Sequence, residues 1–75
     1  MYKWEWIGHK TYRITLMYSN GVYCVDVNDA TRGYASSQNK DINVALTSYE
    51  TLKAKFDAKG NKEYMERRLT YGTQR

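Results

Sequence analysis

A chain of 75 residues, 41% hydrophobic and 27% charged, has room for one small core and is too apolar for general disorder. Its single cysteine, Cys24, excludes an internal disulfide and a thiolate metal cluster, and no run of about 18 apolar residues is present to cross a membrane. The formal net charge is +4: residues 1–51 carry five basic and five acidic side chains, residues 52–75 seven and three, so the whole excess lies in the last third. Such asymmetry points to an anionic partner or to a solvated helix face.

The first strand is expected over about residues 2–7. If Gly8-His9-Lys10 forms a three-residue turn, Trp6 faces Tyr12, Trp4 faces Ile14 and Tyr2 faces Leu16. That register places the three aromatics on the buried face and sets Glu5 opposite Arg13 on the outer face. Asn20-Gly21 is the strongest local signal, because both central positions of a type I′ turn need positive φ. A two-residue loop there pairs Tyr18 with Tyr23, Leu16 with Val25 and Ile14 with Val27, all on one face. Arg13, Thr15, Met17, Cys24 and Asp26 take the other. Residues 28–33 are rich in turn formers, and an extended segment near 33–37 follows.

A helix is expected over 39–59, where Ile42, Ala45, Leu46, Tyr49 and Phe56 recur at helical spacing, with Leu52 at the edge of the stripe. Ser37 or Asn39 is the candidate cap. Thr47-Ser48-Tyr49-Glu50 also reads as a capping box, which leaves 42–46 open between strand and helix; the unbroken spacing favours helix. Lys59-Gly60-Asn61 reads as a stop and a new cap, so a short basic helix is expected over 61–70, bearing Tyr64, Met65 and Leu69. The expected fold is a single α+β domain, 1–75: a β-meander over 1–37 giving an antiparallel three- to four-stranded sheet, one face covered by a long helix, plus the short C-terminal helix.

Catalysis has little support. His9 lies in a turn, Cys24 has no nearby base in sequence, and no metal-ligand spacing or phosphate loop is present. The expectation is a non-enzyme without cofactor or metal. The residues Met-Tyr-Lys-Trp-Glu-Trp contain no apolar signal-peptide core, and with the lone cysteine this leads to a cytoplasmic expectation. Lys53, Lys55, Lys59, Lys62, Arg67 and Arg68 are candidates for one nucleic-acid-binding stripe, with Tyr64 and Tyr71 as stacking surfaces.

Residues Tyr34 to Leu46, reading Tyr-Ala-Ser-Ser-Gln-Asn-Lys-Asp-Ile-Asn-Val-Ala-Leu, carry a more individual pattern. An aromatic, Ala and two hydroxyls precede Gln, then an acid, a β-branched aliphatic, Asn and Ala-Leu. The pattern resembles the small antitoxins of T-even bacteriophages, the Dmd-like and TifA-like proteins. The resemblance implies non-covalent neutralisation of a host endoribonuclease toxin in the host cytoplasm, and the basic last third leaves open that RNA joins the complex. It implies toxin contacts at the aromatic and the amide, here Tyr34 and Asn43; a relative has Trp where this chain has Tyr34. Another phage counter-defence inhibitor, anti-CRISPR-like, and a small nucleic-acid-binding module using the basic third are the alternatives. A homodimer stays open.

Overall fold

The computed structural model describes residues 2–72, with side chains described from Tyr2 to Leu69. Four strands, β1 (Tyr2–Ile7), β2 (Tyr12–Ser19), β3 (Val22–Asn28) and β4 (Gly33–Asn39), form an antiparallel meander in chain order, followed by one helix, α1 (Ile42–Gly72). The α+β architecture is the expected one, with a full fourth strand.

The β2–β3 hairpin has the expected register, Ile14 opposite Val27, Leu16 opposite Val25 and Tyr18 opposite Tyr23. Asn20 and Gly21 both take positive φ, 53° and 77°, as the I′ turn demands. Ile14, Leu16, Val25 and Val27 are essentially inaccessible and meet Ala45, Tyr49 and Phe56 of α1. Full burial of side chains of this size stabilises by about 1.5–3 kcal/mol each, which makes this layer the main source of stability.

The β1–β2 connection differs from expectation. It spans four residues, with Ile7 paired to Tyr12, and Gly8, His9 and Lys10 all have positive φ. Strand side chains alternate, so one extra loop residue turns the whole of β1 over. Trp4 pairs with Thr15, Trp6 with Arg13 and Tyr2 with Met17, all on the outer face. Glu5 pairs with Ile14 on the helix side and does not face Arg13.

The second difference is at Gly60. The chain does not stop there, and α1 runs unbroken through 31 residues with no separate C-terminal helix. Gly60 is selected by contact: a Cβ on it would lie 2.7 Å from the Gly8 Cα and 2.8 Å from the Gly8 carbonyl oxygen. A Cβ on Gly8 would lie 2.6 Å from the Gly60 Cα, so the β1–β2 turn touches the helix backbone to backbone. The Asp57 carboxylate accepts the Gly8 N–H at 2.7 Å, and His9 stacks on Tyr64 at 4.1 Å between centroids. These contacts hold His9 and Lys10 in a backbone region that L-residues otherwise avoid.

The start of α1 is capped by Asp41, whose carboxylate accepts the Asn43 N–H at 2.8 Å while its carbonyl accepts from Ala45. The expected caps serve otherwise: Asn39 accepts from the Asp41 N–H, and Ser37 lies in β4 beside Ser48. Residues 42–46 are helical. At 1.5 Å per residue α1 is about 46 Å long, against about 27 Å for the longest strand. Its last turns therefore pass beyond the sheet, and residues 65–69 are all exposed.

Candidate functional site

The two residues marked by the phage-antitoxin resemblance lie in different places. Tyr34 is the extra residue of a bulge, between Ala35 opposite Val27 and Gly33 opposite Asn28. The bulge turns its ring inward against Tyr12 and Phe56, at 5.0 and 6.3 Å between centroids. Its hydroxyl donates to Asp29, which also accepts from the Thr31 hydroxyl and from the N–H groups of Thr31 and Arg32. Those bonds, the Thr31 hydroxyl first, hold the Asp29 carboxyl well below the usual carboxylate range. Arg32 and Lys59 approach the Tyr34 ring at 4.6 and 5.5 Å. Tyr34 is thus a half-buried part of the core rim that ties down the β3–β4 turn. Asn43 is exposed in the first turn of α1, where its carbonyl accepts from the Thr47 hydroxyl. Phe56, the neighbour of Tyr34, lies thirteen positions further along the helix, about 20 Å along the axis. The fold does not bring the two together.

The six basic candidates do not share one stripe. At about 100° per residue, Lys55, Lys59 and Lys62 fall within about 60°, whereas Lys53, Arg67 and Arg68 point elsewhere. Lys53 pairs with Glu5 at 3.2 Å. Lys59 lies over the rings of Tyr12, Tyr34 and Phe56 and 4.0 Å from Glu63. Lys62, Arg67 and Arg68 are exposed, the two arginines on the part of α1 beyond the sheet.

The most distinctive surface is one that pattern reading put in the core. On the outer face Tyr2, Trp4, Trp6 and Met17 are 61, 46, 48 and 38% exposed. The two indoles meet edge to face at 5.9 Å, and the Arg13 guanidinium lies 5.9 Å from the Trp4 ring. The Arg13 Nε is buried without a hydrogen-bond partner among the described residues. Beside Arg13, the β3–β4 turn frames an open depression of about 670 Å³ lined in part by Asp26, Asn28, Thr31 and Ser36. Aromatics, Met and Arg with few other charges are the composition of an interface centre. With Arg13 and Asp26 as the strand charges on this side, the face lacks the cations that phosphate binding requires.

The helix side of β1 is correspondingly polar. Glu5 accepts from the Tyr49 hydroxyl at 2.6 Å, and the Lys3 ammonium lies 4.5 Å from the Tyr49 ring centre. The bond from Tyr49, with help from Lys53 and Lys3, holds the Glu5 carboxyl below its ordinary value, while burial and then Glu5 push the Tyr49 phenol up. Burial, reinforced by a 2.9 Å bond to Glu63, pushes the Tyr12 phenol up to about 12. Inward charges on an edge strand also discourage pairing with other chains. One residue signalled the inversion in advance: Ile7 is the only aliphatic of β1, and it lies out of phase with both tryptophans.

Among the described residues, no three His, Cys, Asp or Glu side chains form a group able to hold a metal ion, and no helix is long and apolar enough to cross a membrane. Comparison with protein-family models, curated proteins and solved structures finds no match to this chain.

Proposed function

We propose that this chain is a phage-type antitoxin or related counter-defence inhibitor, which neutralises a host endoribonuclease toxin by non-covalent binding through the outer face of its sheet. The observation that carries the binding mode is the inverted β1. It spends its charged residues on the helix side and leaves Trp4 and Trp6 facing solvent around Arg13. A fold that needed these indoles for its core would turn them inward. The toxin class is supported by the resemblance of residues 34–46 to phage antitoxins. Tryptophan, tyrosine and arginine are the residue types that dominate binding energy at interface centres.

A nucleic-acid-binding module is the second reading, favoured by the exposed Lys62, Arg67 and Arg68 at the far end of α1. Affinity capture from a toxin-bearing host lysate, with and without ribonuclease, separates the two. Direct inhibition expects the toxin in both arms. An RNA-assisted complex expects it only without ribonuclease, and RNA alone supports the module. In growth rescue by co-expression, the double variant Trp4→Ser/Trp6→Ser should lose at least about tenfold in neutralisation with an unchanged circular dichroism spectrum. Rescue equal to the parent's would remove the sheet face from the mechanism, and the Asn43→Ala variant would then test the position the family resemblance favours.

A further inference from the structure

The two sides of α1 differ little in hydropathy, although only one of them packs on the sheet. Ala45, Tyr49, Leu52, Phe56 and Gly60 take the sheet side. Away from these, Val44, Thr47, Thr51, Ala54, Ala58 and Asn61, then Met65, recur at alternating spacings of three and four, the first three beside a groove against Ser36 and Ser37 of β4. That is the a/d spacing of a coiled-coil seam, held for three heptads, with Thr47, Thr51 and Asn61 as polar members. All but the half-buried Asn61 are exposed. None is charged, although this part of the helix carries Glu50, Lys53, Lys55, Asp57, Lys59 and Lys62 on its other positions. A face shaped only by solvation would not keep those charges away from it over six turns.

We propose that this outward side of α1 is a self-association seam, on which a second copy of this chain packs its own α1 in parallel and in register. The flanks of the seam identify the occupant. Glu50 and Asp57 lie seven residues apart on one flank, and Lys55 and Lys62 seven apart on the other. In a parallel pair each g position meets the e position five residues further along the partner helix. Glu50 then meets the partner's Lys55, and Asp57 meets the partner's Lys62, each pair occurring twice by symmetry. Asp57 gives one oxygen to the Gly8 N–H and keeps the other for this contact. Glu50, Lys55 and Lys62 make no ion pair within the chain among the described residues, although the Lys55 ammonium lies 5.6 Å from the Phe56 ring centre. An antiparallel pair would instead set the flank that carries Lys55 and Lys62 beside the same flank of its partner. Ala54 and Ala58 allow close approach of the two backbones, and the polar Asn61 weakens the seam. The threonines make the seam modest, so association depends on concentration. The arrangement leaves both outer sheet faces free and does not depend on what they bind.

The test is sedimentation equilibrium of the full chain across about a hundredfold range of concentration, where mass action shifts a monomer–dimer equilibrium. The parent should pass from monomer to dimer, and Ala58→Arg should stay monomeric with unchanged circular dichroism. Glu50→Lys and Lys55→Glu should each weaken the dimer by about tenfold, and the double exchange should restore it. A parent monomeric throughout overturns the proposal. So does a dimer that survives Ala58→Arg or that Trp6→Ser dissolves, and a double exchange that fails to restore association overturns the parallel register.

Discussion

The sheet has two faces built from the same strands, and they were put to different uses. The helix side packs Ile14, Leu16, Val25 and Val27 against Tyr49 and Phe56 until almost no surface remains. The outer side carries larger aromatic groups, two indoles and a phenol on β1, and leaves about half of their surface in solvent. Size and hydrophobicity therefore do not decide which residues form the core here. What decides it is the side of the strand that faces α1, and β1 presents Lys3, Glu5 and Ile7 there. The half-buried Glu5 carboxylate is held there by the Tyr49 hydroxyl and the Lys53 ammonium, which both reach it. The lesson concerns edge strands: a short strand docked on one flank of a helix can satisfy that helix with polar contacts and keep its aromatics for a partner.

The largest effect should come from the covered face. Leu16→Ala removes a side chain with no exposed surface, and lost transfer energy plus the cavity should cost about 2–5 kcal/mol in urea unfolding. In a domain of this size that is a large share of the total. A change near zero would mean that the hairpin does not bury this face.

A smaller loss is expected at the contact that sets which face of β1 points outward. Gly60→Ala places a Cβ against the Gly8 backbone, where no flexible side chain can give way. Overpacking of this kind costs about 1–3 kcal/mol, while the better helix propensity of Ala returns about 1 kcal/mol. The net expectation is a destabilisation of up to about 2 kcal/mol, with loss of protection from hydrogen exchange at the Gly8 amide. A stabilised variant would show that residue 60 is an ordinary helix position and that the turn does not touch it.

The smallest stability effect belongs to the open face. Trp6→Ser should cost about 0.5–1 kcal/mol, since about half of the residue stays in solvent. Its fluorescence in the parent should be readily quenched by iodide. A loss of several kcal/mol would collapse the contrast between the faces and put Trp6 back in the core.

The amino-acid sequence by itself determined the α+β class, the Asn20-Gly21 hairpin and its register, and the inward positions of Ala45, Tyr49 and Phe56. Those features follow from local rules: positive φ at two turn residues, alternation along strands and helical spacing of apolar residues. Three matters were decided only in the tertiary structure. Loop length between β1 and β2 cannot be read from Gly8-His9-Lys10-Thr11, because three successive left-handed residues persist only through contacts with Asp57 and Tyr64, some fifty positions away. Gly60 has the local appearance of a helix stop, and only the approach of Gly8 shows why a glycine is needed inside a helix. Tyr34 reads as a strand-exit aromatic free to bind, and the bulge that turns it against Phe56 depends on how β4 pairs with β3. In each case the deciding neighbour lies on a different element. Periodicity reports which residues share a face, but it takes the packed backbone to fix which face meets the helix.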